Sequence, residues 1–239
     1  KTFKNIYKSV GDKFYKDFYI KKRSNNIFIS SKLATSKDLF ISKRYTGWIT
    51  NFYSRARVHL LRANHDCILT TSKTILKDNS TLNCRIDGLQ KYSPKRFIID
   101  KNLKIPLTSK IVKTANKIKT YVFYNLIDNF KLKKLKKLKV NTVRIDLKGN
   151  YLDFNKIVFF LRNKGFYRVF VEAGIKFNNF LLENNYINDF YHFYSDELFG
   201  NKGFHNAKFF FNKMNKIKRN KNEVKINLFQ DKLIKYLLK

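Results

Sequence analysis

Apolar positions follow two periods along the chain, and the switches between them mark its elements. From Ile27 the run IFISSKLATS is apolar, β-branched and small, and reads as a strand. Asn51 stands as an N-cap before a helix over 52–63, in which Leu60 and Leu61 face inward. Residues 65–70 read as the next strand and 72–77 as a short helix or turn. Further strands are predicted at 96–99, 120–124, 142–145, 168–172 and 189–194. Helices at 131–138, 153–163 and 176–184 alternate with them, and Gly165 sits where a C′ glycine belongs. The tail holds two strand-like runs, 224–228 and 233–238, around the turn FQDK. Alternating strands and helices followed by a hairpin predict an α/β fold with a mostly parallel sheet and an antiparallel edge.

Composition narrows the classes. A chain of 239 residues buries a full core as one domain. Its 44% apolar and 16% aromatic content excludes a disordered chain despite the charge. The net charge of +34 suits nucleic acid or an anionic membrane. It equally suits a biased composition, because Lys, Asn, Ile, Phe and Tyr are abundant together and lysine is spread over most segments. A nucleic-acid footprint clusters on one face, so the expectation is a solvated lysine surface, with no specific nucleic acid and no membrane partner. The dense run KLKKLKKLK at 131–139 has leucines at 132, 135 and 138, one apolar stripe with a basic back. Cys67 and Cys84 form no C-x-x-C, and the four histidines lack metal-ligand spacing, so no metal site is expected. A reducing cytoplasm fits. No transmembrane run or leader peptide is visible, and the start at Lys1 reads as part of something longer.

Two segments carry candidate chemistry. The block Thr46–Arg85 combines a helix bearing Arg55, Arg57 and Arg62, a short strand, and a turn with Thr74, Asp78 and Arg85. Guanidinium groups and one carboxylate around a strand end suit a phosphorylated small molecule, because arginine grips phosphate bidentately. The second segment, RVFVEAGIKFNNFLL from Arg168, is a strand ending in Glu172, a turn at Gly174 and a helix start. A helix N-terminus at the carboxyl end of a strand suits a phosphate or pyrophosphate. No G-x-G-x-x-G occurs.

SSKLATSKD (30–38), TGWIT (46–50), LLRANHDCILTTSKTILKDNSTLNCR (60–85), RFIIDKNLKIP (96–106) and VEAGIKFNNFLL (171–182) come in a telling order. In that order they resemble the C-terminal reductase half of the bacterial bifunctional riboflavin-biosynthesis deaminase/reductase. The resemblance spans most of 27–200, with YINDFYHFYSDELFGNKG matching in weaker form. It implies a dihydrofolate-reductase-like fold, a central mixed sheet flanked by helices, with residues 27–239 as the reductase domain. Residues 1–26 would be a linker or N-terminal arm after a zinc deaminase half, fused or separate, whose H-x-E and P-C-x-x-C motifs are absent here. It implies NADPH as hydride donor, a homodimer, and reduction of 5-amino-6-(5-phosphoribosylamino)uracil to the ribitylamino product.

Residue by residue, the resemblance implies substrate contacts at Thr46, Arg62, Leu82, Arg85 and Glu172, with Arg62 and Arg85 on the ribose phosphate. It implies cofactor contacts at Thr35, Trp48, Thr74, Asp78, Lys101, Gly174, Ile175, Lys176, Phe177, Asn178, Asn179 and Phe180. Lys32, Asp78 and Glu172 are the ionisable groups expected at the hydride transfer, and the proton donor is among them. The chain departs from the family at Ser36-Lys37-Asp38-Leu39, where S-L-D-G is expected, at Asp78-Asn79-Ser80 for D-D-P, and at Lys101 for Ser. Three other readings stay open: a reductase acting on the non-deaminated diaminopyrimidinone, a basic nucleic-acid-binding module, and a degenerate reductase serving as a scaffold.

Overall fold

The computed structural model describes residues 7–8, 11–12, 15–24, 26–44 and 47–239. Thr46 and much of the 1–26 arm lie outside them. In chain order the elements begin with α1 (Lys16–Ser24), β1 (Phe28–Thr35), β2 (Phe40–Lys43), α2 (Phe52–Ala63), β3 (Cys67–Thr71) and α3 (Ser72–Asp78). Then come β4 (Lys95–Ile99), α4 (Lys110–Lys113), β5 (Thr120–Tyr124), α5 (Asn129–Lys137) and β6 (Val140–Arg144). The short pair β7 (Leu147–Lys148) and β8 (Tyr151–Leu152) leads to α6 (Phe154–Asn163), β9 (Arg168–Glu172), α7 (Ile175–Glu183) and β10 (Asp189–Tyr194). The chain closes with β11 (Gly203–Asn206), α8 (Lys208–Ile217), β12 (Asn220–Glu223) and β13 (Lys232–Leu237).

Among the described residues, nine strands form one sheet in the order β12-β13-β10-β1-β9-β3-β4-β5-β6. Every pairing from β10 to β6 is parallel, and β13 and β12 add antiparallel at the other end. This is the mixed, mostly parallel sheet that the pattern predicts. The central strands read as near-continuous apolar runs because helices cover both faces. One face packs Ile29, Leu69, Phe97 and Val171 against Phe154 and Leu161 of α6, Leu181 of α7 and Phe210 and Met214 of α8. The other packs Ile68, Ile98, Val122 and Phe170 against Leu61 of α2, Ile75 of α3, Ile111 of α4 and Leu135 of α5.

Local chemistry ends the helices where the sequence predicts. Asn51 caps α2 by accepting from the Ser54 amide at 3.0 Å. After α6, Gly165 takes φ +81, and the amides of Gly165 and Phe166 donate to Arg162 and Leu161, a Schellman stop. The lysine-rich α5 buries Leu135 fully and points its basic side outward, while Leu138, past its end, stays 38% exposed. Among the described residues no helix is long and apolar enough to cross a membrane.

The tail corrects one expectation. The penultimate strand is Asn220–Glu223 rather than 224–228. Val224, Ile226 and Leu228 keep their alternation, but they drop onto the core while the Ile226 amide bonds back to the Val224 carbonyl. No element is predicted over 195–223, yet α8 forms there through buried Phe210, Phe211 and Met214. β2 and β11, four residues each, are not predicted either, and among the described residues they pair with one another across about 160 residues of chain. Gly203 allows that pairing, since a Cβ there would lie 2.3 Å from the Phe40 ring. At the lost family glycine, Leu39 nevertheless takes φ +64, a left-handed turn that costs a leucine about 1 kcal/mol. Asp38 holds this turn, accepting from the Ser36 hydroxyl and the Phe199 and Gly200 amides. Within the expected arm, α1 touches the sheet through Lys16, whose Nζ lies 3.6 Å from Asp189 and donates to the Lys239 carbonyl.

Arg96, on β4, is fully buried, and among the described residues its hydrogen bonds go to neutral oxygens. Its guanidinium donates to the carbonyls of Thr81, Ile111 and Ile118 and to the hydroxyls of Thr114 and Thr120. Burial lowers its pKa to about 10, which leaves it charged at neutral pH. It thus ties three segments, including the loop after α3, to the sheet. Lysine has fewer donors and no planar fork. Arg96→Lys is expected to cost about 3 kcal/mol through unmade bonds to buried carbonyls, read as a lowered midpoint in urea unfolding.

Candidate active site

Because β1, β3, β4 and β9 run parallel, their carboxyl ends share one edge of the sheet. That edge gathers residues far apart in sequence: Lys32 and Thr35 from β1, Thr74 and Asp78 from α3, Lys101 after β4, and Glu172 and Gly174 at the end of β9. Lys32 and Glu172 are direct register partners, so their side chains share a face. Arg62, near the end of α2, reaches them because long helical side chains slant toward the helix N-terminus.

Glu172 is the centre of the cluster, with 6% of its surface exposed. Arg62 Nε donates to Oε1 at 2.5 Å and Nη2 to Oε2 at 3.0 Å, a bidentate fork. Lys32 Nζ lies 3.4 Å from Oε2. The Thr70 hydroxyl fixes the Glu172 backbone by donating to its carbonyl at 2.7 Å. Burial alone would push the carboxyl pKa up, but the charge of Arg62, then that of Lys32, and their hydrogen bonds outweigh it and hold it at about 2.

The loop 79–85 forms one wall of the site. Asn79 and Leu82 both take left-handed backbone, φ +41 and +51. Leu82 is 2% exposed and packs into the core. The Ser80 hydroxyl is buried without a partner among the described residues. Asp78 sits on the open rim. Crowding by protein atoms raises its pKa, against the pull of Lys77 and Lys32, and the Glu172 charge adds to the rise. Arg85 is exposed, while Arg62 commits itself to Glu172 and to the Asn83 carbonyl at 3.0 Å.

Between those arginines lies His59, which the sequence reading does not single out. It stands three residues before Arg62, one turn along the same helical face. That spacing was its only local signal.

The α7 stretch divides by depth. Gly174 caps the helix without a side-chain bond, so the first-turn amides open onto the carboxyl edge. Asn178 is fully buried and structural, accepting from the Ser31 hydroxyl at 2.5 Å and donating to the Ala173 carbonyl. Phe177 and Phe180 pack onto the core, Ile175 partly so, and Lys176 is exposed. Asn179 Oδ1 is buried without a partner among the described residues. Thr35 is buried too, its hydroxyl 2.8 Å from His192 Nε2. Thr74 pairs with the Thr71 hydroxyl, and Lys101 Nζ donates to the Asn150 carbonyl. Trp48 is 71% exposed, under the Arg55 guanidinium at 4.7 Å, and lines a cavity of about 480 Å³ with Asn51, Asp196 and Asp231. None of the Glu172 cluster lines that cavity.

An open, mostly parallel sheet with helices on both faces, and with a buried carboxylate, its basic partners and an uncapped helix start at its carboxyl edge, defines an α/β protein. Residues 28–221 match the RibD C-terminal domain, and the chain belongs to that family. It is 32% identical over 156 residues to 5-amino-6-(5-phosphoribosylamino)uracil reductase of Buchnera aphidicola, covering 59% of this chain and 70% of that one. It is 23% identical over 184 residues to riboflavin biosynthesis protein RibD of Actinobacillus pleuropneumoniae, covering 77% of this chain and 48% of that one. It spans about half the length of that RibD protein. The fold matches Acinetobacter baumannii RibD with a TM-score of 0.76 at 20% identity, over 97% of this chain and 63% of that one. It also matches the Saccharomyces cerevisiae riboflavin biosynthesis reductase with a TM-score of 0.66 at 21% identity, over 95% and 99%.

The Glu172 pKa sets an acid limb on stability. Its folded value of about 2 lies below the ordinary 4.5. The ionised carboxylate therefore stabilises the fold fully above about pH 4.5, and that contribution is lost as pH falls toward 2. Glu172→Gln is expected to lower stability by about 3 kcal/mol at pH 7. The gap from wild type should narrow below pH 4.5 in urea midpoints measured across pH.

Proposed function

We propose that this chain reduces 5-amino-6-(5-phosphoribosylamino)uracil to 5-amino-6-(5-phosphoribitylamino)uracil, with NADPH as the hydride donor, in riboflavin biosynthesis. The observation that carries this reading is the Lys32–Glu172–Arg62 cluster at the sheet's carboxyl edge, in a chain of the RibD C-terminal family. The same cluster gives a basic nucleic-acid module nothing to do.

The residues fit the cofactor. The open first turn of α7, whose amides donate, suits its pyrophosphate. Gly174, Ile175 and Lys176 would hold the phosphates, with Thr74 and Lys101 beside them, while Thr35 is sealed under the sheet edge and Trp48 belongs to the separate cavity. When bound, the reduced nicotinamide supplies a hydride to the ribose C1′ of the ring-opened substrate. The chain's own groups orient that carbon and move the proton. A carboxyl held at about pKa 2 carries no proton at neutral pH, so Glu172 positions Lys32 and the substrate and leaves the donor role to Lys32 or Asp78. The raised pKa of Asp78 favours it. Arg62 is already committed to Glu172, so the exposed Arg85 takes the larger share of the ribose phosphate. A homodimer, a cytoplasmic setting and a deaminase, fused or separate, that supplies the substrate complete the reading. Sedimentation of the purified chain tests the dimer.

NADPH oxidation followed at 340 nm with the deaminated substrate is expected to show turnover, faster than with the non-deaminated diaminopyrimidinone. Absence of turnover on both, together with no NADPH binding by fluorescence, would sink the reductase reading. Asp78→Asn is expected to cut kcat about 100-fold if Asp78 is the acid; an unchanged kcat assigns the proton to Lys32. Arg85→Ala is expected to raise KM by about tenfold or more with kcat changed less.

A further inference from the structure

Two guanidinium groups flank one imidazole at the edge of the site. His59 is 8% exposed, on α2. Its Nδ1 lies 2.9 Å from the Asn83 carbonyl, which can only accept, with the Arg85 backbone amide at 3.2 Å and Arg62 Nη1 at 3.4 Å beside it. Among the described residues its Nε2 meets donors alone, so the proton of the neutral ring sits on Nδ1, toward Asn83. That leaves the Nε2 lone pair as an acceptor. Arg85 meets it with two donors, Nε at 3.3 Å and Nη2 at 3.2 Å. The Asn83 carbonyl also accepts from Arg62 Nη1 at 3.0 Å, so the imidazole, both arginines and the 79–85 loop form one connected network.

The acceptor at this position is uncharged. Burial, then the charges of Arg62 and Arg85, lower the imidazole pKa to about 4, against the Asn83 hydrogen bond and the Glu172 charge. At neutral pH it therefore holds Arg85 without adding charge. A carboxylate in the same place would orient Arg85 equally well but would cancel the positive charge an anion needs. Arg62 shows the contrast, since its fork is matched by the Glu172 carboxylate.

We propose that His59 is a positioning residue: a neutral acceptor that aims the Arg85 guanidinium at the phosphate ester of the substrate while leaving its charge unneutralised. This rests on the reading that the site takes a phosphorylated ribose derivative. The division of labour is then physical. Arg62 is the neutralised arginine that holds Glu172, and Arg85 is the charged arginine that meets the ligand. His59 keeps the two apart in direction and in charge.

Ribose 5-phosphate binding to the full chain, measured by calorimetry, tests this apart from turnover. Wild type is expected to bind ribose 5-phosphate, and Arg85→Ala to lose that binding. His59→Leu is expected to raise Kd at least tenfold, because Arg85 loses its orienting acceptor. His59→Gln, which can donate to Asn83 and accept from Arg85, is expected to stay within about threefold of wild type. His59→Glu is expected to bind worst, since it adds the charge that cancels Arg85. With the aminouracil substrate, His59→Leu should raise KM with kcat changed less than threefold. Equal Kd for wild type and a folded His59→Leu, or tight binding by His59→Glu, overturns the proposal. So does wild-type binding that is unaffected by Arg85→Ala, or no ribose 5-phosphate binding by wild type. Absence of turnover with the Kd series as expected would overturn the reductase reading and leave the His59 assignment standing.

Discussion

One buried carboxylate governs the site. Glu172 ends the central strand β9, where it must be either protonated or paired, because an isolated charge there is too costly. The fold pairs it twice, with Arg62 from the helix on one face and with Lys32 from the next strand. Those pairings require β1 and β9 to be adjacent in the register that sets Lys32 beside Glu172. They also require α2 to end where a slanting arginine reaches the sheet's upper edge. A slip of one residue in β1 would send Lys32 to the opposite face. The order of the central strands and the chemistry of the edge are therefore one constraint.

That constraint sorts the cations. In a chain of net charge +34, having positive groups near an anion is easy, and keeping them from acting alike is harder. Arg62 is fixed by a carboxylate, Arg85 by a neutral imidazole, and Arg96 by carbonyl and hydroxyl oxygens inside the core. Each acceptor type leaves a different residual charge. The carboxylate leaves almost none, the imidazole leaves all of it facing outward, and the oxygen cage uses it to hold the Thr81 end of the site loop. Leu82 and Asn79 in that loop take left-handed backbone, strain that the surrounding bonds maintain. The lysines of α5 lie on the solvent side of a helix whose apolar face is buried through Leu135.

Much of the sheet was legible because its strands are short apolar runs broken by capped helices. Residues 120–124, 168–172 and 189–194 are strands to the residue, since strands buried on both faces leave little room for doubt in their sequence. The elements that were not legible lack such a pattern. β2 and β11 exist only through each other, and Gly203 is small because Phe40 lies against it. The run 224–228 has a strand's alternation but takes its hydrogen bonds elsewhere, so the period alone misleads there. Among candidate site residues, Glu172 was legible as an ionisable group at a strand end and Lys32 through the family resemblance, and His59 was not, because nothing in its neighbourhood of sequence distinguishes it from a core histidine.

By itself, the sequence determined the class of fold, the order of the main strands and helices as far as β10, the helix ends at Asn51 and Gly165, and the family to which it belongs. These rest on local patterns: periodicity, caps, turn residues and ordered motifs. Only the tertiary structure decided what each charged side chain does, because charge is defined by neighbours. Asp78, Glu172, Arg62, Arg85 and His59 come from four separate elements and loops. Whether a carboxyl holds a proton, or an arginine is neutralised or open, depends on which of them the parallel sheet brings within hydrogen-bond distance.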